Sequence, residues 1–259
     1  MIKIKERLDT IKVTKPAKAG IFYITTSIFT KLLAFLATPL FTRLLLPDEY
    51  GVYSLYISWM GIISVVLALG ISGGAIYRSL ARFKDRRCEL VSSAVGILLI
   101  SGAAALSLTL IFGSTAARIT GLSPLVCSLL VIEVFFGCAE TVIFAVYRYK
   151  YSYVKICLIN LLYAILSVGT SILLISLVGI KAEARIYASF FARLVLILPL
   201  LKPYLKPRAL YKKEMWKYLL KLSLPLLPSA VSSSLIAQMD KLMIRSLDGS
   251  SALGKYSIA

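Results

Sequence analysis

Apolar positions in this chain run on in long stretches separated by short polar breaks. A helix needs about 20 mainly apolar residues to cross a hydrocarbon core of roughly 30 Å. Seven stretches qualify: 21–42, 52–77, 90–113, 124–146, 156–179, 183–201 and 222–247. They predict an all-α fold, a polytopic transmembrane bundle of about seven spans. Composition agrees, since 59% of the 259 residues are hydrophobic and mean hydropathy is +0.84, against roughly 45–50% apolar usage in soluble domains. The first run follows a basic stretch of about 20 residues and continues through Phe35, Leu36 and Leu40 without a small-x-small cleavage site. It reads as a span and not as a signal peptide.

The net charge of +18 would fit a nucleic-acid binder, but its distribution argues for topology. Of 30 Lys and Arg, 21 lie in 1–20, 78–88, 148–155 and 202–221; the alternate connections hold Arg43, Arg118, Lys181, Arg245 and Lys255. Cytoplasmic loops are the Lys/Arg-rich ones, because positive charge resists translocation and suits anionic headgroups. The N-terminus is therefore expected in the cytoplasm and 114–123 outside, with no nucleic-acid partner. The tract Tyr147-Arg148-Tyr149-Lys150-Tyr151-Ser152-Tyr153 reads as an interfacial aromatic belt. Segment 202–221, with seven cations among Tyr204, Tyr211, Trp216 and Tyr218, reads as a connector lying on the inner leaflet.

Several chemistries find no residues here. The chain has no histidine, the commonest metal ligand and the usual base near neutral pH. Cys88, Cys127, Cys138 and Cys157 form no CxxC pair, and no phosphate-cradling glycine motif occurs. No catalytic residue, metal or cofactor is assigned, which favours a transporter over an enzyme.

Ionisable residues inside spans are expensive and mark functional candidates. Lys31 lies near mid-depth in the first span and Arg193 similarly deep in the sixth. Glu133 and Glu140 are two helical turns apart in the fourth, so they share a face. Asp240 and Lys241 lie toward the outer end of the seventh, with Gln238 one turn below. Two readings stay open. Glu133 or Glu140 pairs with Lys31 or Arg193 and locks helices together, or the cations line a polar cavity that binds an anionic headgroup. Arg43 and Arg78 each end a span and read first as interfacial anchors. Gly70, Gly73 and Gly74 read as a hinge or as points of close helix approach; Ser92 with Gly96 and the Ser167–Ser171 stretch read as points of close approach; Pro39, Pro199, Pro225 and Pro228 are candidate kinks.

The first loop carries Arg43-Leu44-Leu45, Pro47, Glu49-Tyr50-Gly51 and Tyr53-Ser54. This resembles the first-loop signature of the polysaccharide-biosynthesis flippases of the multidrug/oligosaccharidyl-lipid/polysaccharide exporter superfamily. Weaker matches follow at Leu69-Gly70-Ile71 with Ala75-Ile76-Tyr77-Arg78, and at Pro225, Asp240–Ile244 and Leu253–Ser257. The family usually has Asp-Arg where this chain has Asp240-Lys241. Gly51-Val52-Tyr53-Ser54 also recurs as Gly254-Lys255-Tyr256-Ser257, 203 residues on, with six spans between. That spacing suits two parallel halves related by an axis along the membrane normal.

The resemblance implies a full-length protein of about twelve or more spans. This chain would supply a basic segment 1–20, a six-span bundle 21–201, the connector 202–221, and 222–259 as the seventh span and start of the second half. It implies a plasma-membrane flippase for a polyprenyl-diphosphate oligosaccharide used in cell-surface polysaccharide or O-antigen synthesis. Its partners would be membrane lipid, that substrate and other polysaccharide-assembly proteins. Lys31, Arg193, Arg43, Arg78 and Lys241 are the candidate substrate-binding cations, with Arg43 and Arg78 raised by the resemblance as gate residues. Glu133, Glu140 and Asp240 are candidates for ion coupling or structural pairing. The alternatives are a cation-coupled multidrug exporter of the same superfamily, or a membrane-integral glycosyltransferase or polymerase with Asp48-Glu49 as a metal-binding acidic pair.

Overall fold

The computed structural model describes residues 15–178 and 182–258, and every regular element among them is helical. The first part of the basic N-terminal segment and Lys181 lie outside the described residues. The helices are α1 (Lys15–Leu44), α2 (Pro47–Leu67), α3 (Ile76–Arg82), α4 (Arg87–Ile111), α5 (Gly113–Thr120), α6 (Pro124–Tyr149), α7 (Tyr153–Val178), α8 (Ala182–Leu201), α9 (Pro207–Leu210), α10 (Lys213–Ser223) and α11 (Leu227–Ile258). Seven segments are long and apolar enough to span a membrane, as the apolar runs predict.

Local chemistry sets the helix starts. α2 and α6 open on Pro47 and Pro124, where the missing N–H would have had no partner. The Glu49 carboxylate accepts from the Leu46 N–H at 2.6 Å, and the Ser123 hydroxyl accepts from the Val126 N–H at 3.4 Å. Glu49 thus has a capping task, which the metal-binding reading of Asp48-Glu49 did not foresee.

Two spans differ from the expectation. The second, expected as a continuous 52–77, begins at Pro47 and stops at Leu67. Leu69 (φ 48°) and Gly70 (φ 71°) are both left-handed, which a right-handed helix cannot contain. A π-type turn, Ile71–Ala75, then leads into α3. A Cβ on Gly70 would lie 3.1 Å from the Ser223 carbonyl oxygen at the end of α10, whereas Gly73 and Gly74 face open space. Gly70 therefore serves the turn, and Gly73 and Gly74 are not packing glycines; Gly169 also faces open space, whereas a Cβ on Gly96 would overlap the Leu210 carbonyl. The seventh span, expected over 222–247, starts at Leu227 after a 3-10 turn through Pro225. It breaks at Gly249 (φ 88°, ψ −175°), a region open essentially to glycine alone, before a further helix begins.

α6 is the hub, with 67% of its apolar stretch buried, against 6% for α1 and 11% for the apolar stretch within Lys213–Ile258. The main core gathers residues of α2, α4, α6, α8 and α10. A smaller core of Ala37, Phe41, Leu45, Tyr50, Ile175 and Ala184 joins α1 and α7 to the ends of α2 and α8. The three described basic connections meet at one end of the bundle. Arg148 Nη1 donates to the Tyr77 hydroxyl at 2.7 Å, Arg87 lies 4.1 Å from the Tyr149 ring centroid, and Arg86 lies 3.5 Å from Glu214. At the other end, Trp59 Nε1 donates to the Thr120 carbonyl at 3.1 Å, and the start of α2 packs on the last turns of α11.

Candidate functional site

Two arginines on α8 organise the interior. Arg193 lies across α6 between Glu133 and Glu140. Its Nε is 3.7 Å from Glu133 Oε1 and its Nη1 is 3.5 Å from Glu140 Oε2. Gly137 makes this possible, because a Cβ there would overlap Arg193 Nη1. Glu133 is fully buried, and its Oε2 also accepts from the Tyr56 hydroxyl at 2.6 Å and the Ser189 hydroxyl at 3.3 Å. Arg193 Nη2 donates to the Tyr163 hydroxyl at 3.3 Å. The cluster ties α2, α6, α7 and α8 together, with two carboxylates around one cation.

Arg185, two turns earlier on α8, has a different setting. Its guanidinium lies 4.0 Å from the Tyr53 ring centroid, 4.1 Å from Phe41 and 5.4 Å from Tyr50. Among the described residues no carboxylate pairs with it, and its buried Nη1 has no hydrogen-bond partner. Aromatic faces stabilise a cation without neutralising it.

Arg185 lies on the wall of a cavity of about 480 Å³ between α1 and α7. Tyr23, Thr26, Ser27 and Thr30 of α1 face Asn160, Tyr163 and Ser167 of α7, and among the described residues Arg185 is the only charged one on the wall. From Tyr23 to Ala37 the wall follows α1 for about 20 Å at 1.5 Å per residue. A second cavity of about 500 Å³ lies between α2, α6, α8 and α11, bordered by Ser64, Ser72, Thr141, Gln238 and Arg193. Tyr163 borders the first cavity and Arg193 the second, so their hydrogen bond forms part of the partition.

Of the cations singled out from sequence, Arg193 takes both glutamates as its partners. Lys31 is exposed on α1, beside the cavity-facing positions Ser27, Thr30 and Ala34 but not on the wall, and it pairs with neither glutamate. Arg43 and Arg78 are exposed, at the end of α1 and on α3, and Lys241 is half-buried on α11. Asp240 is exposed, and its carboxylate accepts from the Tyr256 hydroxyl at 2.6 Å; it does not join the Glu133–Glu140 cluster. Arg185, Tyr53, Tyr163 and Asn160 were not anticipated. The available signal was an arginine inside an apolar run together with the Tyr50–Tyr53 spacing, which puts both rings on one helix face.

The repeated motif also meets itself. Ser54 Oγ donates to Ser257 Oγ at 2.6 Å. A Cβ on Gly51 would overlap the Ser250 carbonyl, and one on Gly254 would overlap the Pro47 carbonyl. The 203-residue offset carries Ser54 onto Ser257, and it turns the Gly51–Ser250 contact into the Pro47–Gly254 contact, so the two copies face each other about a local two-fold axis.

These features define an α-helical, multi-pass membrane protein. The polysaccharide biosynthesis protein family profile matches residues 17–259, and the chain belongs to that family. Among solved structures, it resembles a multidrug resistance transporter of the MATE family, in the MOP superfamily, seen in an inward-facing conformation. That likeness has a TM-score of 0.65 at 19% identity, over 87% of this chain and 56% of the other. It also resembles a MOP superfamily transporter from Pyrococcus furiosus described by the reverse polarity of its binding pocket, with a TM-score of 0.65 at 16% identity, over 95% and 58%. The chain thus spans little more than half the length of these transporters. A comparison with curated proteins gives no match.

Proposed function

We propose that the protein acts in moving a lipid-linked oligosaccharide, carried on a polyprenyl diphosphate, from the cytoplasmic to the outer face of the plasma membrane for cell-surface polysaccharide synthesis. The α1–α7 cavity carries this reading. A sugar diphosphate must exchange its water for protein groups before it can enter a membrane interior. Tyrosine, threonine and serine hydroxyls and the Asn160 amide match sugar hydroxyls, and Arg185 offers an unneutralised cation to an acidic group. Charge-assisted hydrogen bonds of this kind are roughly twice as strong as neutral ones. On this reading the polyprenyl tail stays in lipid and the N-terminus is cytoplasmic.

Deleting the gene should leave lipid-linked glycan trapped inside and remove surface polysaccharide, and a plasmid copy should restore it. A deletion with normal surface polysaccharide overturns the proposal. The orientation has its own test: a cysteine at Ser114 should react with an impermeant reagent in intact cells, and one at Lys206 should not.

Export of cationic drugs is the second reading, favoured by the excess carboxylate at Glu133 and Glu140 and by the fold shared with a multidrug transporter. It predicts that the deletion alters dye efflux and spares surface polysaccharide.

A further inference from the structure

Away from both cavities, the connector builds a second polar site at the basic end of the bundle. Lys206, Arg208 and Lys212 of the connector, with Cys88, Glu89 and Ser92 of α4, line a pocket of about 230 Å³. Glu89 is committed to Arg86 at 2.7 Å, and Arg86 reaches Glu214 of α10 at 3.5 Å. Among the described residues no carboxylate pairs with Lys206, Arg208 or Lys212. The pocket is therefore cationic, and it opens on the first turn of α4, where the helix dipole also favours an anion.

Its surroundings are those of a membrane boundary. Lys213, Lys217 and Lys221 form an exposed i, i+4 stripe on α10, opposite buried Met215 and Leu219. Leu205 and Tyr211 are exposed along the same connector, and Leu224 and Leu226 in the turn that follows it. A free anion needs only the cations, whereas a lipid headgroup also needs apolar surface beside them for its chains.

We propose that this pocket binds the headgroup phosphate of an anionic phospholipid and thereby fastens the connector to α4. The occupant is a bilayer lipid and not the transported substrate, so the site stands whether or not the flippase reading does.

Cys88 provides the probe, because it is exposed while Cys127, Cys138 and Cys157 are buried. The 259-residue chain would be reconstituted in vesicles of phosphatidylcholine alone, or of phosphatidylcholine and phosphatidylglycerol in equal parts, and Cys88 modified with neutral N-ethylmaleimide. Phosphatidylglycerol should slow the reaction by about tenfold, with three cations contributing, and the triple variant K206Q/R208Q/K212Q should lose that protection. A control thiol, Lys150→Cys in a Cys88→Ser background, should be unaffected. The proposal is overturned if phosphatidylglycerol leaves Cys88 unprotected, if the triple variant remains protected, or if the control thiol slows equally, which would show a diffuse surface potential. Equal protection by inorganic phosphate in phosphatidylcholine vesicles would assign a free-anion site and also overturn it. Should the triple variant misfold and expose further thiols, K206Q and K212Q alone should each lose part of the protection, and full protection in both rejects the site.

Discussion

Arg193 and Arg185 share a residue type, a helix and an apolar run, yet their surroundings give them different work. Arg193 is enclosed by two carboxylates and two tyrosines contributed by α2, α6 and α7, over a glycine that leaves room for it. Arg185 rests on three aromatic rings and keeps a nitrogen unpartnered beside a hydroxyl-lined cavity. A buried charge that finds its counter-charge within the fold becomes a clamp. One that finds only ring faces keeps its attraction for an external anion.

The largest expected effect is on the clamp. Arg193→Ala should destabilise the protein by about 3–5 kcal/mol, the scale for leaving buried partners uncompensated, and lower its abundance in the membrane. Thermal unfolding in detergent checks this, and Glu133→Gln with Arg193→Ala should recover part of the loss. If Arg193→Ala is as stable as wild type and only export falls, Arg193 belongs with Arg185 and the contrast collapses.

Next comes Arg185→Ala. It forfeits cation–π contacts worth roughly 0.5–2 kcal/mol, so abundance should hold while export of the lipid-linked glycan falls about tenfold or more, the loss of one charge-assisted contact. Arg185→Lys should retain more export than alanine, because it keeps the charge. Equal losses in the two variants would make the role steric.

Glu140→Gln should have a smaller effect, about 1 kcal/mol or less, since Glu133 still holds Arg193 and a neutral amide can accept a hydrogen bond. The smallest effect on stability is expected at exposed Lys31. Lys31→Ala should leave stability within about 0.5 kcal/mol, and any fall in export should be reversed by Lys31→Arg. A marked loss of stability would place Lys31 in a buried contact that the structure does not contain.

Much of the fold was legible from residue order. Unbroken apolar runs located the spans, because a bilayer imposes a length that the chain must match. Alternating basic loops correctly grouped 78–88, 148–155 and 202–221 at one end of the bundle. The Glu133–Glu140 spacing correctly placed two carboxylates on one helix face. The break after Leu67 was less legible, because Ala68, Leu69 and Ile71 are as apolar as the helix before them and hydropathy does not register backbone handedness. Lys31 and Arg193 also looked alike, both being cations near mid-depth of an apolar run.

The sequence by itself determined the solvent of this protein, the number of apolar spans and the recurrence of the Gly-x-Tyr-Ser motif 203 residues on, because these follow from composition and order along one dimension. Only the tertiary structure decided which cation met which carboxylate. It also decided that Gly137 would make room for Arg193, that Arg185 would meet rings and a cavity, and that the two copies of the Gly-x-Tyr-Ser motif would close on each other. The reason is range. Hydrophobic transfer acts on each segment separately, whereas ion pairs and hydrogen bonds act over a few ångströms between residues far apart in the chain, and packing alone brings those together.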